Sequence, residues 1–268
     1  MKLTILVDNN TYIDKYYYGE PAVSYYIEDG DKRILFDTGY SDVLLLNARK
    51  MAIDLSSLTH IVLSHGHNDH SNGLRVLAEK VGISKIELVA HPDCFLQKYD
   101  GEEYIGAPYS EKEIAEKCNY QPCKTLYAIT EKLTFLGEIP RDNDFESKSP
   151  IGKQIESNAC KDDYILDDSA LVYKSEKGLF IVTGCSHSGI CNIVEYAKKV
   201  CEEERILGVL GGFHLFEADE RLERTIEYLQ GCNLEYLYPC HCVSLLARAK
   251  MMEKLPVIET GIGMVVEV

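Results

Sequence analysis

Ser64-His65-Gly66-His67-Asn68-Asp69-His70 follows an apolar run, residues 59–64, that reads as a buried strand. Three of the chain's eight histidines, with one aspartate, fall within six positions of one another. A strand end fixes the backbone, and the polar loop after it, 65–72, turns these side chains into one volume. Imidazole and carboxylate at this density suit Zn²⁺ or a similar divalent ion. His65 and His67 can bind one ion, and Asp69 and His70 point to a second close by. Two ions so placed share and activate a bridging water. The bland alternative is a polar surface loop that is histidine-rich by chance, and it needs the acid to be in place by accident too. His60, alone inside the strand, reads instead as a satisfied core or edge histidine.

Outward from this loop, β-branched and aromatic runs alternate with helical patterns. Residues 3–8, 22–28 and 32–37 read as strands, with Glu28-Asp29-Gly30-Asp31 a hairpin turn signal. A helix runs from the cap at Ser41 or Asp42 to about 51, another covers 73–81, and 86–90 is a strand. Residues 91–165 are less regular. Ser110-Glu111-Lys112-Glu113 fits a capping box there, and 126–129 with 132–136 fits a hairpin. Strands return at 170–174, 179–183, 205–210 and 235–239. Helices fall at 189–201, 219–230 and 243–253, and a final strand pair at 257–267. Hairpins followed by β-α units occur in each half, which suggests two mixed sheets with helices outside.

The chain has 268 residues, enough for one large domain or two small ones. Its formal charge of −15 repels phosphate backbones and anionic surfaces, so nucleic acid and membrane are not expected partners. No segment reaches about 18 uninterrupted apolar residues, and Asp8 breaks the N-terminal run early. Ten cysteines without an export signal point to free thiols in a cytoplasmic setting. The expected partner is a small-molecule substrate; oligomeric state is not legible.

The 65–70 loop matches in full the His-x-His-x-Asp-His signature of the metallo-β-lactamase-fold hydrolases. Leu35-Phe36-Asp37-Thr38-Gly39 resembles that family's upstream Asp-Thr-Gly element. The resemblance implies that Asp37 braces the metal loop without binding metal. It spans nearly the whole chain, strongly at 20–75 and 165–245 and weakly at 95–165. It implies an α/β fold, a four-layer αβ/βα sandwich of two mixed β-sheets with helices outside. It implies one domain over 1–268, with insertions around 91–165 near the active-site mouth. Gly184-Cys185-Ser186-His187-Ser188-Gly189-Ile190, Gly211-Gly212-Phe213-His214-Leu215 and Pro239-Cys240-His241-Cys242 resemble the dihydropterin-phosphate synthase-like branch. Members of that branch are labelled 7,8-dihydropterin-6-methyl-4-(β-D-ribofuranosyl)aminobenzene-5′-phosphate synthases.

The resemblance also completes a metal shell. His241, in a Pro-x-His context after a strand, matches the family's last metal histidine and is expected on the second ion with Asp69 and His70. Many members carry a histidine in a Thr-Pro-Gly-His context, but here no histidine lies between 92 and 186. His187 is the expected replacement. Cys185 stands where the family places a bridging Asp or a ligand Cys, and Asp168 precedes the following hairpin; both are further candidates. Their bland readings are a small buried thiol and a turn or cap residue. His214 follows an apolar strand and two glycines that let backbone approach a ligand. With the shell nearly full, it reads as a substrate contact or proton donor. His91 lines the mouth or starts a helix. Tyr16-Tyr17-Tyr18, with Tyr25 and Tyr26, lines a mouth or packs in strands. Cys240 and Cys242 read as buried, and Cys118 and Cys123 as ordinary thiols.

Two divalent ions are expected, zinc first, with manganese or iron as alternatives. The leading function is a metallo-hydrolase in which a metal-activated water, oriented by Asp69, attacks a phosphoester, thioester or lactone, with His214 assisting the leaving group. The alternative is a synthase that joins a dihydropterin to a ribosyl-aminobenzene phosphate. A di-iron oxidoreductase would replace His67 with a carboxylate, and a non-enzymatic metal binder would not need a full ligand set.

Overall fold

From Leu3 onward every residue of the strand Lys2–Val7 is buried, so both faces of this strand are covered. In the computed structural model, which describes residues 1–157 and 159–268, it lies in a seven-stranded sheet. The order is Val265–Glu267, Lys2–Val7, Ser24–Asp29, Lys32–Phe36, His60–Val62, Glu87–Ala90 and Asn119–Pro122. The first four strands pair antiparallel, and the remaining pairings are parallel. Gly30, at φ 57°, closes the hairpin expected at 28–31. The helices Val43–Lys50 and Gly73–Lys80 lay Leu44, Ala48, Leu74 and Leu77 against Leu35, Ile61, Leu63 and Leu88.

This sheet belongs to the first of two compact units, formed by Met1–Lys124, Pro150–Asp167 and Gly261–Val268. The unit also holds a small antiparallel sheet in the order Ala159–Asp162, Lys153–Glu156, Gln97–Asp100 and Glu103–Tyr104. Sequence reading misses it because few of its residues are buried: Lys98 in Gln97–Asp100 and Gln154 in Lys153–Glu156, and none in Ala159–Asp162. No apolar alternation exists to be seen. The capping box at Ser110 and Glu113 does form, opening the helix Glu111–Ala115.

The second unit, Thr125–Ser149 with Asp168–Thr260, is built on a six-stranded sheet. Its order is Tyr236–Pro239, Ile206–Gly211, Gly178–Thr183, Ala170–Ser175, Leu133–Phe135 and Tyr127–Ala128. Here the parallel pairings come first and the antiparallel ones follow. The helices Ile190–Cys201, Glu220–Gly231 and Leu245–Met252 pack Ile193, Ile226 and Met251 into one core with Ile181 and Val209. Glu146 accepts hydrogen bonds from the amides of Cys191 and Asn192, which have no acceptor within the first of these helices.

Each unit therefore runs hairpins together with β-α crossovers, as expected. Two boundaries differ. The strand pair expected at 257–267 reduces to Val265–Glu267, while Val257 makes only an isolated bridge to Leu237. Within the 65–72 loop, Asn68–Ser71 winds one helical turn, which carries Asp69 and His70. Among the described residues, no helix is long and apolar enough to cross a membrane.

Candidate metal centre

Residues flagged by the sequence cluster at the carboxyl ends of the sheet strands, where α/β folds gather their ligand sites. In the first unit, Asp37 follows Lys32–Phe36, the 65–70 loop follows His60–Val62, and His91 follows Glu87–Ala90. In the second, Cys185 and His187 follow Gly178–Thr183, His214 follows Ile206–Gly211, and His241 follows Tyr236–Pro239. Asp37, Ser186, His214 and His241 have φ between 50° and 58°, in the left-handed region. A non-glycine residue held there costs on the order of 1–3 kcal/mol, and such strain concentrates at functional sites.

The metal loop gathers its donors within the first unit. The His65 ring lies 4.2 Å from the His70 ring and 4.6 Å from the His67 ring, centroid to centroid. His70 Nε2 is 3.4 Å from Asp69 Oδ2. All three histidines are buried, and Asp69 is partly exposed. Gly66 is required between them, since a Cβ there would sit 2.1 Å from the Cys94 carbonyl oxygen.

Asp37 hydrogen-bonds the loop at Ser64 and faces His70. It is fully buried, with Oδ1 accepting from the Ser64 amide at 2.7 Å and Oδ2 from Ser64 Oγ at 2.7 Å. The same Oδ2 lies 2.7 Å from His70 Nδ1. An ionised carboxylate only accepts, so Nδ1 donates and the neutral ring carries its lone pair on Nε2. Thr38 adds two bonds to the His70 carbonyl, from its amide at 2.7 Å and its hydroxyl at 3.0 Å.

Electrostatics separate the histidines. Burial, aided by the Lys98 ammonium, pushes His67 down to about 4, which keeps the ring neutral at ordinary pH. Burial acts the same way on His70, but the carboxylates of Asp69 and Asp37 outweigh it and hold that ring well above its ordinary value. Cation binding at Nε2 would therefore release a proton.

A second layer was invisible to sequence reasoning. Lys98, fully buried, donates to Asp163 Oδ2 and Asp167 Oδ1, each at 2.8 Å. Asp167 Oδ2 accepts from the Gly66 amide at 2.8 Å, gripping the loop between His65 and His67. Burial raises the Asp167 carboxyl, yet the Lys98 ammonium overcomes it and holds the group at about 2. No spacing rule links position 98 to 163 and 167, and only the fold brings them together.

In the second unit the rings of His187 and His214 lie 4.6 Å apart, and Phe216 meets His214 edge-on at 4.8 Å. The Ser186 hydroxyl donates to the Gly212 carbonyl at 2.6 Å, tying the His187 turn to the turn before His214. Gly211 and Gly212 do permit close approach, though of neighbouring protein. A Cβ on Gly211 would fall 2.3 Å from the Thr183 carbonyl oxygen, and one on Gly212 would fall 2.5 Å from Cys242 Sγ. That thiol also accepts from the His214 amide at 3.2 Å. Cys240 is buried as expected; Cys242 is only partly so. Cys185 is buried at its strand end. Asp168 Oδ2 accepts from the Ser188 amide at 2.8 Å and its hydroxyl at 2.5 Å, and burial lifts this carboxyl to about 6.

His91 accepts from the Asp93 amide at 3.1 Å, which is the helix-start role. His60 is buried, with Nδ1 2.8 Å from Thr59 Oγ1. Tyr16 and Tyr18 are exposed, whereas Tyr25 and Tyr26 belong to the core. Cys118 and Cys123 are buried thiols. The donor chemistry of the loop, imidazole nitrogen with one carboxylate oxygen, fits a divalent ion of zinc's kind.

A model of the Metallo-beta-lactamase superfamily matches residues 17–116. An uncharacterized protein of Methanocaldococcus jannaschii is 35% identical, and the match covers 94% of each chain. The 7,8-dihydropterin-6-methyl-4-(beta-D-ribofuranosyl)-aminobenzene-5'-phosphate synthase of the same organism is 32% identical, over 83% of this chain and 79% of its own. Among solved structures, Tm1679, a metal-dependent hydrolase of the beta-lactamase superfamily, aligns with a TM-score of 0.84 at 28% identity, covering 100% of this chain and 99% of the other.

Proposed function

The chain belongs to the metallo-beta-lactamase superfamily, a family of metallo-hydrolases, and from that premise we propose a dinuclear hydrolase of small molecules. The two compact units are read as parts of one domain over 1–268. In this reading His65 and His67 hold one ion and Asp69 and His70 the other, and His187 and His241 are expected ligands as well. Cys185 and Asp168 are the further candidate ligands. Asp37 fixes the tautomer of His70. The observation that carries the reading is the loop itself: three buried imidazoles and a carboxylate, with His70 aimed by a fully buried Asp37 at 2.7 Å.

Two bound divalent ions, zinc first, would supply an activated water and an electrophilic contact for the substrate's oxygen. Asp69, partly exposed where the three histidines are buried, orients the attacking water by accepting its hydrogen bond. His214, pinned in the left-handed region and packed against Phe216, supplies a proton to the leaving group. Phosphoesters, thioesters and lactones all suit that chemistry. The net charge of −15 supports a small-molecule substrate over nucleic acid.

A second reading has one observation in its favour, the 32% identical relative that is a dihydropterin-ribosylaminobenzene phosphate synthase. One experiment separates the two. The zinc-loaded chain is offered chromogenic phosphodiesters, thioesters and lactones, and in parallel a dihydropterin with a ribosyl-aminobenzene phosphate. Hydrolysis that Asp69→Asn reduces by about a hundredfold or more supports the hydrolase. Condensation without hydrolysis replaces it with the synthase.

A further inference from the structure

Lys98 lies in the middle of Gln97–Asp100, a strand of the small sheet, and its side chain is fully buried. Burying an ammonium is costly unless it is fully paired, so its partners report what it is for. Nζ donates to Asp163 Oδ2 and Asp167 Oδ1, both at 2.8 Å. Asp163 Oδ1 accepts from the Ile165 amide at 2.8 Å, and Ile165 itself sits at φ 52°. The chain from 163 to 167 is thus folded back around the cation. Asp167 then turns its other oxygen to the Gly66 amide at 2.8 Å.

Gly66 is the residue between His65 and His67. The chain that follows Lys98 holds the loop at one further point. The Asn68 amide donates to the Ile105 carbonyl at 2.8 Å, and the Ile105 amide donates to the Lys98 carbonyl at 3.0 Å. On its other side Gly66 packs so closely on Cys94 that no Cβ fits. The backbone of the metal loop is therefore set from outside its own strand, by the small sheet and the loop that follows it.

We propose that Lys98 is a positioning residue for the metal loop: through Asp167 it fixes the Gly66 amide, and so the spacing of His65 and His67. This rests on the metal-binding reading above and adds to it a specific dependence. Affinity at the His65–His67 side depends on a lysine that touches neither metal nor substrate. Outer partners of this kind change metal affinity by about 10–100-fold when removed.

The test is Lys98→Met combined with Asp163→Asn in the full chain. This pair removes one positive and one negative charge together, so the net charge is kept and Asp167 is the one carboxylate left without its ammonium. Zinc affinity is read by competition with a chromophoric chelator, and Gly66 amide hydrogen exchange is read in the metal-free chain. Expected are about tenfold or greater weakening of one zinc step and faster exchange at Gly66, with far-UV circular dichroism unchanged. Asp163→Asn alone, which keeps the Lys98–Asp167 pair, is expected to bind zinc like the parent. Should the double variant fail to fold, Asp167→Asn takes its place and is expected to weaken the same step. Parent-like affinity and exchange in whichever variant folds overturns the proposal and leaves the metallo-hydrolase reading intact. A parent chain that binds no zinc, manganese or iron overturns both.

Discussion

Asp37→Asn changes one oxygen to an NH₂ group at the most constrained point of the loop, and its effect can be worked out bond by bond. The asparagine Oδ1 can still accept from the Ser64 amide, now bonded at 2.7 Å. Its Nδ2 would then face Ser64 Oγ and His70 Nδ1, both bonded to Asp37 Oδ2 at 2.7 Å. The serine hydroxyl adapts by rotating its hydrogen. His70 does not, because two donors now face each other unless its proton moves to Nε2. That tautomer places a hydrogen where the lone pair for the metal must be. Metal binding must then reverse the tautomer and forgo a hydrogen bond to a charged group, worth about 1.5–3 kcal/mol. At about 1.4 kcal/mol per tenfold, zinc affinity falls by about 10–100-fold. The assay is zinc competition at fixed pH, with imidazole nitrogen shifts reporting the His70 tautomer. Unchanged affinity with Nδ1 still protonated would refute the reasoning.

Other outcomes follow from the same contacts. Lys98→Met alone strands two buried carboxylates and is expected to lower unfolding free energy by about 3–5 kcal/mol in urea titrations, most of it recovered when Asp163 and Asp167 are also made amides. Gly212→Ala drives a methyl to 2.5 Å from Cys242 Sγ and 2.6 Å from the Gly184 carbonyl oxygen, so the thermal midpoint should fall by several degrees, with only partial rescue by Cys242→Ala. Asp167, held at about 2 in the fold and ordinary when unfolded, stabilises the chain above about pH 4. That contribution is lost as pH falls through 2, so Asp167→Asn should flatten the acid limb of a stability–pH curve. A parent and variant with identical acid limbs would contradict the assignment.

Much of the fold was legible because burial and sequence pattern coincide. The strands at 2–7, 24–36 and 170–183 are mostly apolar where buried, and the capping box at Ser110 forms as spelled. The loop at 65–70 and its brace Asp37 were legible because metal chemistry restricts residue type and spacing together. The small sheet was not, since its two buried positions carry Lys98 and Gln154 rather than apolar side chains. The Lys98–Asp163–Asp167 cluster was illegible for a related reason: a lysine far in sequence from the two aspartates it pairs with looks like surface until a fold closes around it. The neighbours of Gly211 and Gly212 were not legible, because a missing Cβ does not say what occupies its place.

Elemental analysis of the chain purified without chelators or added metal decides whether these residues hold two divalent ions. About two zinc ions per chain are expected. Two irons would contradict the zinc assignment, and one ion or none would contradict the dinuclear centre.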